Sequence, residues 1–231
     1  DGRIPTPDSR RRQHEANPEA FPEGSWFAGD NANLAIGQGE MLVTPLQLAN
    51  AYAAFANGGS LHAPNIASKV LGSDNEVVRE LAPRVIHTID LPPHVREPIL
   101  AGLVGVASSD GGTANFVFEG FPLSTYPVAA KTGTAQTSGE DNAVFVAFGP
   151  AYAPQWVVAV VLEQAGFGAT AAAPLARTVF DAVAGQVPIE KVQPVPPLVG
   201  LVDPGPVADA APTTDEPPPP ETGTPDEEVV D

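Results

Sequence analysis

Three short apolar runs, residues 128–132, 143–148 and 156–163, restrict the fold of this chain more than any other feature. Each is strand-length, and Ser138-Gly139 and Gly149-Pro150 supply turn residues between them. Such close spacing predicts an antiparallel meander. An alanine-rich helix over residues 171–184 follows directly, with Leu175, Val179 and Val183 on one stripe. Upstream, Thr44-Pro45-Leu46-Gln47 reads as a helix start: an N-cap hydroxyl, proline at the first helical position, and glutamine completing a capping box. Leu46, Ala49, Ala53 and Ala56 then recur on one face, and Asn57-Gly58-Gly59 stops the helix. Strands flanked by helices predict an α+β fold with helices packed on an antiparallel sheet.

The remaining segments fill in around that frame. Residues 66–71 and 76–81 read as two short strands around the turn-rich Gly72-Ser73-Asp74-Asn75, and residues 84–89 as another. Residues 92–107 predict a helix with Val95, Ile99, Leu103 and Val106 on its apolar side. Residues 113–118 are expected to be extended. The first thirty residues hold Arg10-Arg11-Arg12 and little apolar periodicity, so they are expected to lie mostly extended on a body spanning residues 1–186. The triple arginine reads as a solvated or carboxylate-paired patch.

Charge divides the chain as well. Residues 187–231 carry ten acidic groups, one lysine and 12 of the 27 prolines, and this composition predicts a disordered acidic tail. A net charge of −17 argues against nucleic acid or anionic lipid as a partner. There is no cysteine, and His14, His62, His87 and His94 lack metal-ligand spacing, so neither a metal nor another cofactor is expected. Gly37-Gln38-Gly39 is no dinucleotide fingerprint, because Leu42 stands where the third glycine belongs.

The chemistry concentrates in Lys131-Thr132-Gly133-Thr134 at the end of the first meander strand. A peptide or lactam ending in a carboxylate needs a cation and hydroxyl donors, and Lys131, Thr132 and Thr134 provide both. Gly133 lets a substrate backbone come close. The Thr134 N–H can face an oxyanion formed during acyl transfer, an interaction typically worth about 2.7–4 kcal/mol. A solvent-exposed strand-end lysine is the plainer alternative.

Five blocks in fixed order lend the motif its meaning. They are the Ile36-Gly37-Gln38-Gly39 turn feeding the Thr44-Pro45 helix that ends at Asn57-Gly58-Gly59, then Gly112-Thr113-Ala114, Lys131 to Gln136, a strand at residues 145–150, and Ala172-Ala173-Pro174 opening the last helix. They resemble the penicillin-binding transpeptidases, and most closely the class B proteins of cell elongation called penicillin-binding protein 2. The resemblance covers about residues 25–186. It implies the penicillin-binding and serine β-lactamase-like fold, incomplete at the N-terminal side, and a D,D-transpeptidase that cross-links peptidoglycan stem peptides through an acyl-serine. Carried onto this chain, it makes Lys131, Thr132, Gly133 and Thr134 the carboxylate-binding strand and Thr134 N–H an oxyanion donor. Gly37-Gln38-Gly39 becomes a structural turn near the cleft. Stem peptides, β-lactams and a membrane glycosyltransferase are the implied partners. The implied location is the extracytoplasmic face of a bacterial membrane, with an anchor helix upstream of Asp1.

Two family signatures are missing. Residues three before Lys69, Lys131 and Lys191 are Ile66, Val128 and Pro188, so no Ser-x-x-Lys nucleophile motif exists. Ser73-Asp74-Asn75 imitates the Ser-x-Asn motif, yet it follows the capped helix instead of preceding the Gly-Gln-Gly block, and it reads as a turn. The chain is therefore expected to be a C-terminal part of a longer enzyme, inactive alone, with one sheet face left bare. Half of a serine β-lactamase or carboxypeptidase, or a non-catalytic stem-peptide-binding module, are the alternatives. Asp141-Asn142 reads either as a cleft rim or as a turn.

Overall fold

Thr-Pro pairs open two of the helices in the computed structural model, which describes residues 2–185. In α3 (Pro45–Ala56) the box is reciprocal: Gln47 N–H donates to Thr44 Oγ1 at 3.2 Å, and Thr44 N–H to Gln47 Oε1 at 2.9 Å. Its end falls where the glycines predict. Gly58 and Gly59 take φ of 91° and 115°, and a Cβ on Gly59 would stand 2.1 Å from Ile89 O. Of the expected face, Ala56 is buried but Leu46 is 61% exposed, and Ala54 is buried beside Ala56.

The second pair corrects the expectation for residues 1–30. Thr6 caps a ten-residue helix, α1 (Pro7–Ala16), in which Ser9 N–H reaches Thr6 Oγ1 and Thr6 N–H reaches Ser9 Oγ. This helix buries no residue, so no apolar stripe announces it. Its support is the cap together with Arg11, which pairs with Asp8 at 3.1 Å and Glu15 at 3.8 Å. A short α2 (Ala28–Ala35) follows, where Asp30 accepts from Phe27 N–H.

The small strands pair locally. β1 (Ser60–His62) runs antiparallel to β4 (Val85–Thr88), and β2 (Lys69–Leu71) to β3 (Val77–Glu80). Ser73-Asp74-Asn75 sits in the β2–β3 turn with Asn75 at φ 64°, as a turn residue should. Helix α4 (Pro93–Ser108) then sends Arg96 back to the carbonyls of Phe55 and Ala56, closing the C-terminal end of α3.

Residues 113–118 are not extended. They dock on the last turn of α4, where Ala114 N–H and Asn115 Nδ2 satisfy the carbonyls of Val106 and Ala107, and then form a 3₁₀ turn, Asn115–Phe118. The turn drives Phe118 into the core, edge-on to Phe121 with ring centroids 5.6 Å apart and beside Phe145 and Phe180. A side chain at Gly112 would meet the carbonyls of Gly105 and Val106 within 2.5 Å, so only glycine fits the docking point.

The meander forms as predicted: β5 (Ala129–Ala135), β6 (Asn142–Gly149) and β7 (Trp156–Leu162), each antiparallel to the next. Helix α5 (Gly168–Val183) covers one face. It does so through Ala172, Ala173, Ala176 and Phe180, not through the Leu175–Val179 stripe, and Val179 is 40% exposed. Alanines let the helix axis approach the sheet closely; bulky residues on that face would hold it off. Val183 alone of the expected stripe packs on the core.

The expectation of a bare sheet face is met only in part among the described residues: α3 and α4 cover one end of that face, while Lys131 and Val161 on the same face stay exposed. Ala143, Phe145 and Ala147 of β6 join α5, while Phe148 and Ala129 join Ala56 and Leu100 of α3 and α4 on the opposite side. Alternation along a central strand thus feeds two cores. The predicted acidic tail, residues 187–231, lies outside the described residues.

Candidate active site

Strand β5 begins in the core and emerges at its chemistry. Ala129 and Ala130 are fully buried, Lys131 is exposed, and Thr132 to Ala135 are half-buried. Among the described residues β5 is an edge strand with one hydrogen-bonded neighbour, which leaves its outer side open to a ligand.

Lys131 makes no ion pair among the described residues, and its ammonium rests on the carbonyl of Thr132. No carboxylate among the described residues competes with an incoming anion for it. Thr132 Oγ1 lies 2.9 Å from Thr113 Oγ1, so two hydroxyls meet one residue away from the lysine. Sequence reading placed Gly112-Thr113-Ala114 in the right order but gave Thr113 no role. Its only signal was Gly112, the residue that fixes the loop against α4.

Gly133 shares the Lys131 side of the strand, and a Cβ there would stand 3.3 Å from Val144 Cβ. From the other side, the first residue of α5 seats on the same backbone. A Cβ on Gly168 would lie 2.4 Å from Gly133 O and 2.2 Å from Val144 O. Gly168 therefore allows helix and strand to touch, and that contact holds the strand in place behind its open edge.

The Gly37-Gln38-Gly39 turn also reaches the site. Gly37 and Gly39 adopt φ of 75° and 79°, and Gln38 Nε2 donates to Thr134 O at 3.1 Å. Behind the turn, Arg10 is 13% exposed and pairs with Asp30 at 2.7 Å and Glu40 at 2.9 Å, with its guanidinium 5.2 Å from the Trp26 ring centre. Burial pulls the Arg10 pKa down, but the bonds to Glu40 and Asp30 outweigh it and leave the pKa raised. The Phe27 N–H, with Arg10 second among the favourable causes, holds the Asp30 carboxyl below its usual value. The carboxylate-paired reading of the arginine run holds for Arg10 and Arg11.

Asp141 and Asn142 lead into β6 and tie it to the segment after β7. Asp141 O accepts from Ala165 and Gly166, and Asn142 Oδ1 accepts from Gln164 N–H. No cluster of three metal-ligating side chains exists among the described residues. A cavity of about 540 Å³ lined by Val104, Ser108, Leu123 and Tyr152 adjoins Val128, at the far end of β5 from Thr134. The candidate site is an open strand edge, not an enclosed pocket.

The penicillin binding protein transpeptidase domain profile matches residues 13–181. The chain belongs to that family. Within it, the chain falls with the class B members resembling PBP2 and MrdA. The peptidoglycan D,D-transpeptidase MrdA of Haemophilus influenzae is 32% identical over 195 residues, covering 77% of this chain and 28% of the relative. Pseudomonas aeruginosa PBP2, solved in complex with WCK 5153, superposes with a TM-score of 0.65 at 33% identity, over 84% of this chain and 40% of that one. Penicillin-binding protein A of Mycobacterium tuberculosis, solved as an imipenem acyl-enzyme, gives a TM-score of 0.55 at 28% identity, over 66% of this chain and 33% of that one. This transpeptidase domain sequence therefore spans well under half the length of these proteins. No described helix is long and apolar enough to cross a membrane.

Proposed function

We propose that this chain is the carboxylate-binding part of a peptidoglycan D,D-transpeptidase, with β5 as the strand along which a stem peptide or β-lactam lies. One observation carries the reading: an exposed Lys131, with no ion pair among the described residues, stands on an open strand edge beside the Thr132–Thr113 hydroxyl pair. The cation and hydroxyls bind the terminal carboxylate, a charge-assisted interaction of about 1.5–3 kcal/mol. Thr134 N–H stabilises the oxyanion as the serine attacks.

The nucleophile comes from residues outside this chain. No Ser-x-x-Lys occurs within it, and its relatives are more than twice as long. The acylated M. tuberculosis relative supports covalent capture of β-lactams. A membrane glycosyltransferase partner and an extracytoplasmic, membrane-anchored location belong to the same reading of the whole protein. Half of a serine β-lactamase or carboxypeptidase is the weaker reading, since the similarity runs to MrdA transpeptidases.

Fluorescent penicillin tests this directly. The full-length protein should become labelled through an ester that survives denaturation, while residues 1–231 alone should stay unlabelled. Labelling of the isolated chain would show a nucleophile within it and overturn the division of labour.

A further inference from the structure

We infer that Gln38 is a positioning residue that aligns the Thr134 peptide for catalysis, an inference that rests on the transpeptidase reading of β5. Its side chain spans 96 positions of sequence to donate to Thr134 O at 3.1 Å, linking the Gly-Gln-Gly turn to the strand.

Geometry explains why this bond matters. In an antiparallel edge strand, alternate residues turn both N–H and C=O away from the partner strand. The carbonyls of Thr132 and Thr134, two apart, both accept side-chain donors, from Lys131 and Gln38. They therefore form the outward-facing set, and the Thr134 N–H shares the open edge with its carbonyl. Register with β6 restrains β5 from one side, and among the described residues no strand supports the Thr134 peptides from the open edge. The Gln38 bond adds a restraint on that edge at the Thr134 carbonyl and, through the φ and ψ of this one residue, steadies the N–H where an oxyanion develops, so its orientation is set before reaction. The bond leaves a second lone pair on the carbonyl for a substrate N–H.

The turn is built to hold such a donor still. Two left-handed glycines flank Gln38. Next to them, Glu40 is gripped at its carboxylate by Arg10, at 2.9 Å, and at its carbonyl by Arg3, at 3.4 Å. Arg10 is itself pinned by Asp30 and by Ser25 O. Helix α1, which buries nothing of its own, thereby serves the strand through one arginine.

The test uses the full-length protein that carries this chain, with Gln38→Glu, Gln38→Ala and Gln38→Lys. Glutamate matches glutamine in size but, ionised, has no donor; lysine keeps a donor of similar reach. Single-turnover acylation by benzylpenicillin separates the acylation rate constant from the preceding non-covalent binding. Gln38→Glu and Gln38→Ala should slow acylation about tenfold, roughly 1.4 kcal/mol, with non-covalent affinity changed less than twofold. Gln38→Lys should stay within about threefold of wild type. A role for Gln38 as mere filler would leave Gln38→Glu unchanged, and that result overturns the inference, as does a Gln38→Lys as slow as Gln38→Ala.

Amide hydrogen exchange across residues 129–136 is read on the same proteins without any reaction. It should quicken several-fold in Gln38→Glu and Gln38→Ala. Wild-type exchange in both overturns the positioning role even if penicillin never acylates the protein. Failure of the wild type to acylate, with exchange altered in the variants, would instead strike the transpeptidase reading alone.

Discussion

Thr132 and Thr113 show how a site can depend on a residue with no chemistry of its own to advertise. Their hydroxyls lie 2.9 Å apart, so one can donate while the other keeps its proton free for a ligand. Replacing Thr113 by valine keeps the shape and removes that partner. We predict a fall in acylation of about fivefold, close to 1 kcal/mol for one neutral hydrogen bond, with thermal stability little changed. An unaltered rate would mean Thr132 orients without help. Gly168 carries a different load. A Cβ there meets Val144 O at 2.2 Å and Gly133 O at 2.4 Å, both backbone atoms that cannot swing aside. Gly168→Ala should cost about 1–3 kcal/mol, as overpacking does, and should lower acylation because β5 moves with α5. A melting temperature equal to wild type would contradict that contact. Of these residues, Lys131, Thr132, Gly133 and Thr134 were legible in the sequence because a motif names them. Thr113, Gln38 and Gly168 were not, since their roles exist only once distant segments meet.

Helices α1 and α3 begin with the same local signal and were not equally readable. Both have Thr-Pro and a reciprocal cap. Helix α3 also has alanines that pack, whereas α1 is polar on every side and is held by its cap and ion pairs. Apolar periodicity finds helices that bury a face, so it passes over one whose work is to present Arg10. Helix α5 shows the opposite error. Counting its large residues selects Leu175 and Val179, yet the sheet takes the alanine side with Phe180. The meander strands were clear because turns and apolar runs agree there. Thr44→Ala and Thr6→Ala should each cost their helix about 1 kcal/mol. Thr6→Ala should further speed amide exchange around residues 37–40, through Arg10. Exchange there at the wild-type rate would separate α1 from the turn.

Taken whole, the described body is a three-stranded sheet between two cores, with an N-terminal clamp that carries its charge dependence. The Asp30 carboxyl is held below its usual value chiefly by Phe27 N–H, then by Arg10. A carboxyl whose folded pKa lies below its unfolded value stabilises above the unfolded value of about 3.9, and that contribution is lost as pH falls through the folded value. Asp30→Asn should therefore be less stable than wild type at neutral pH, and the gap should narrow as pH falls below the unfolded value of about 3.9. A constant gap across that range would show that the clamp does not depend on the charge. The fold class was readable because the meander and the main helices that flank it appear. The partial cover on the second sheet face was not, because α3 and α4 cross it only after the chain has doubled back.

The account turns on Lys131 gripping a carboxylate, and a comparison of benzylpenicillin with its methyl ester tests this most directly. In the full-length protein, Lys131→Ala should slow acylation by benzylpenicillin by about 10–150-fold, the equivalent of 1.5–3 kcal/mol, while acylation by the neutral ester falls far less. Equal losses for acid and ester, or a change within twofold for the acid, would contradict the anchor.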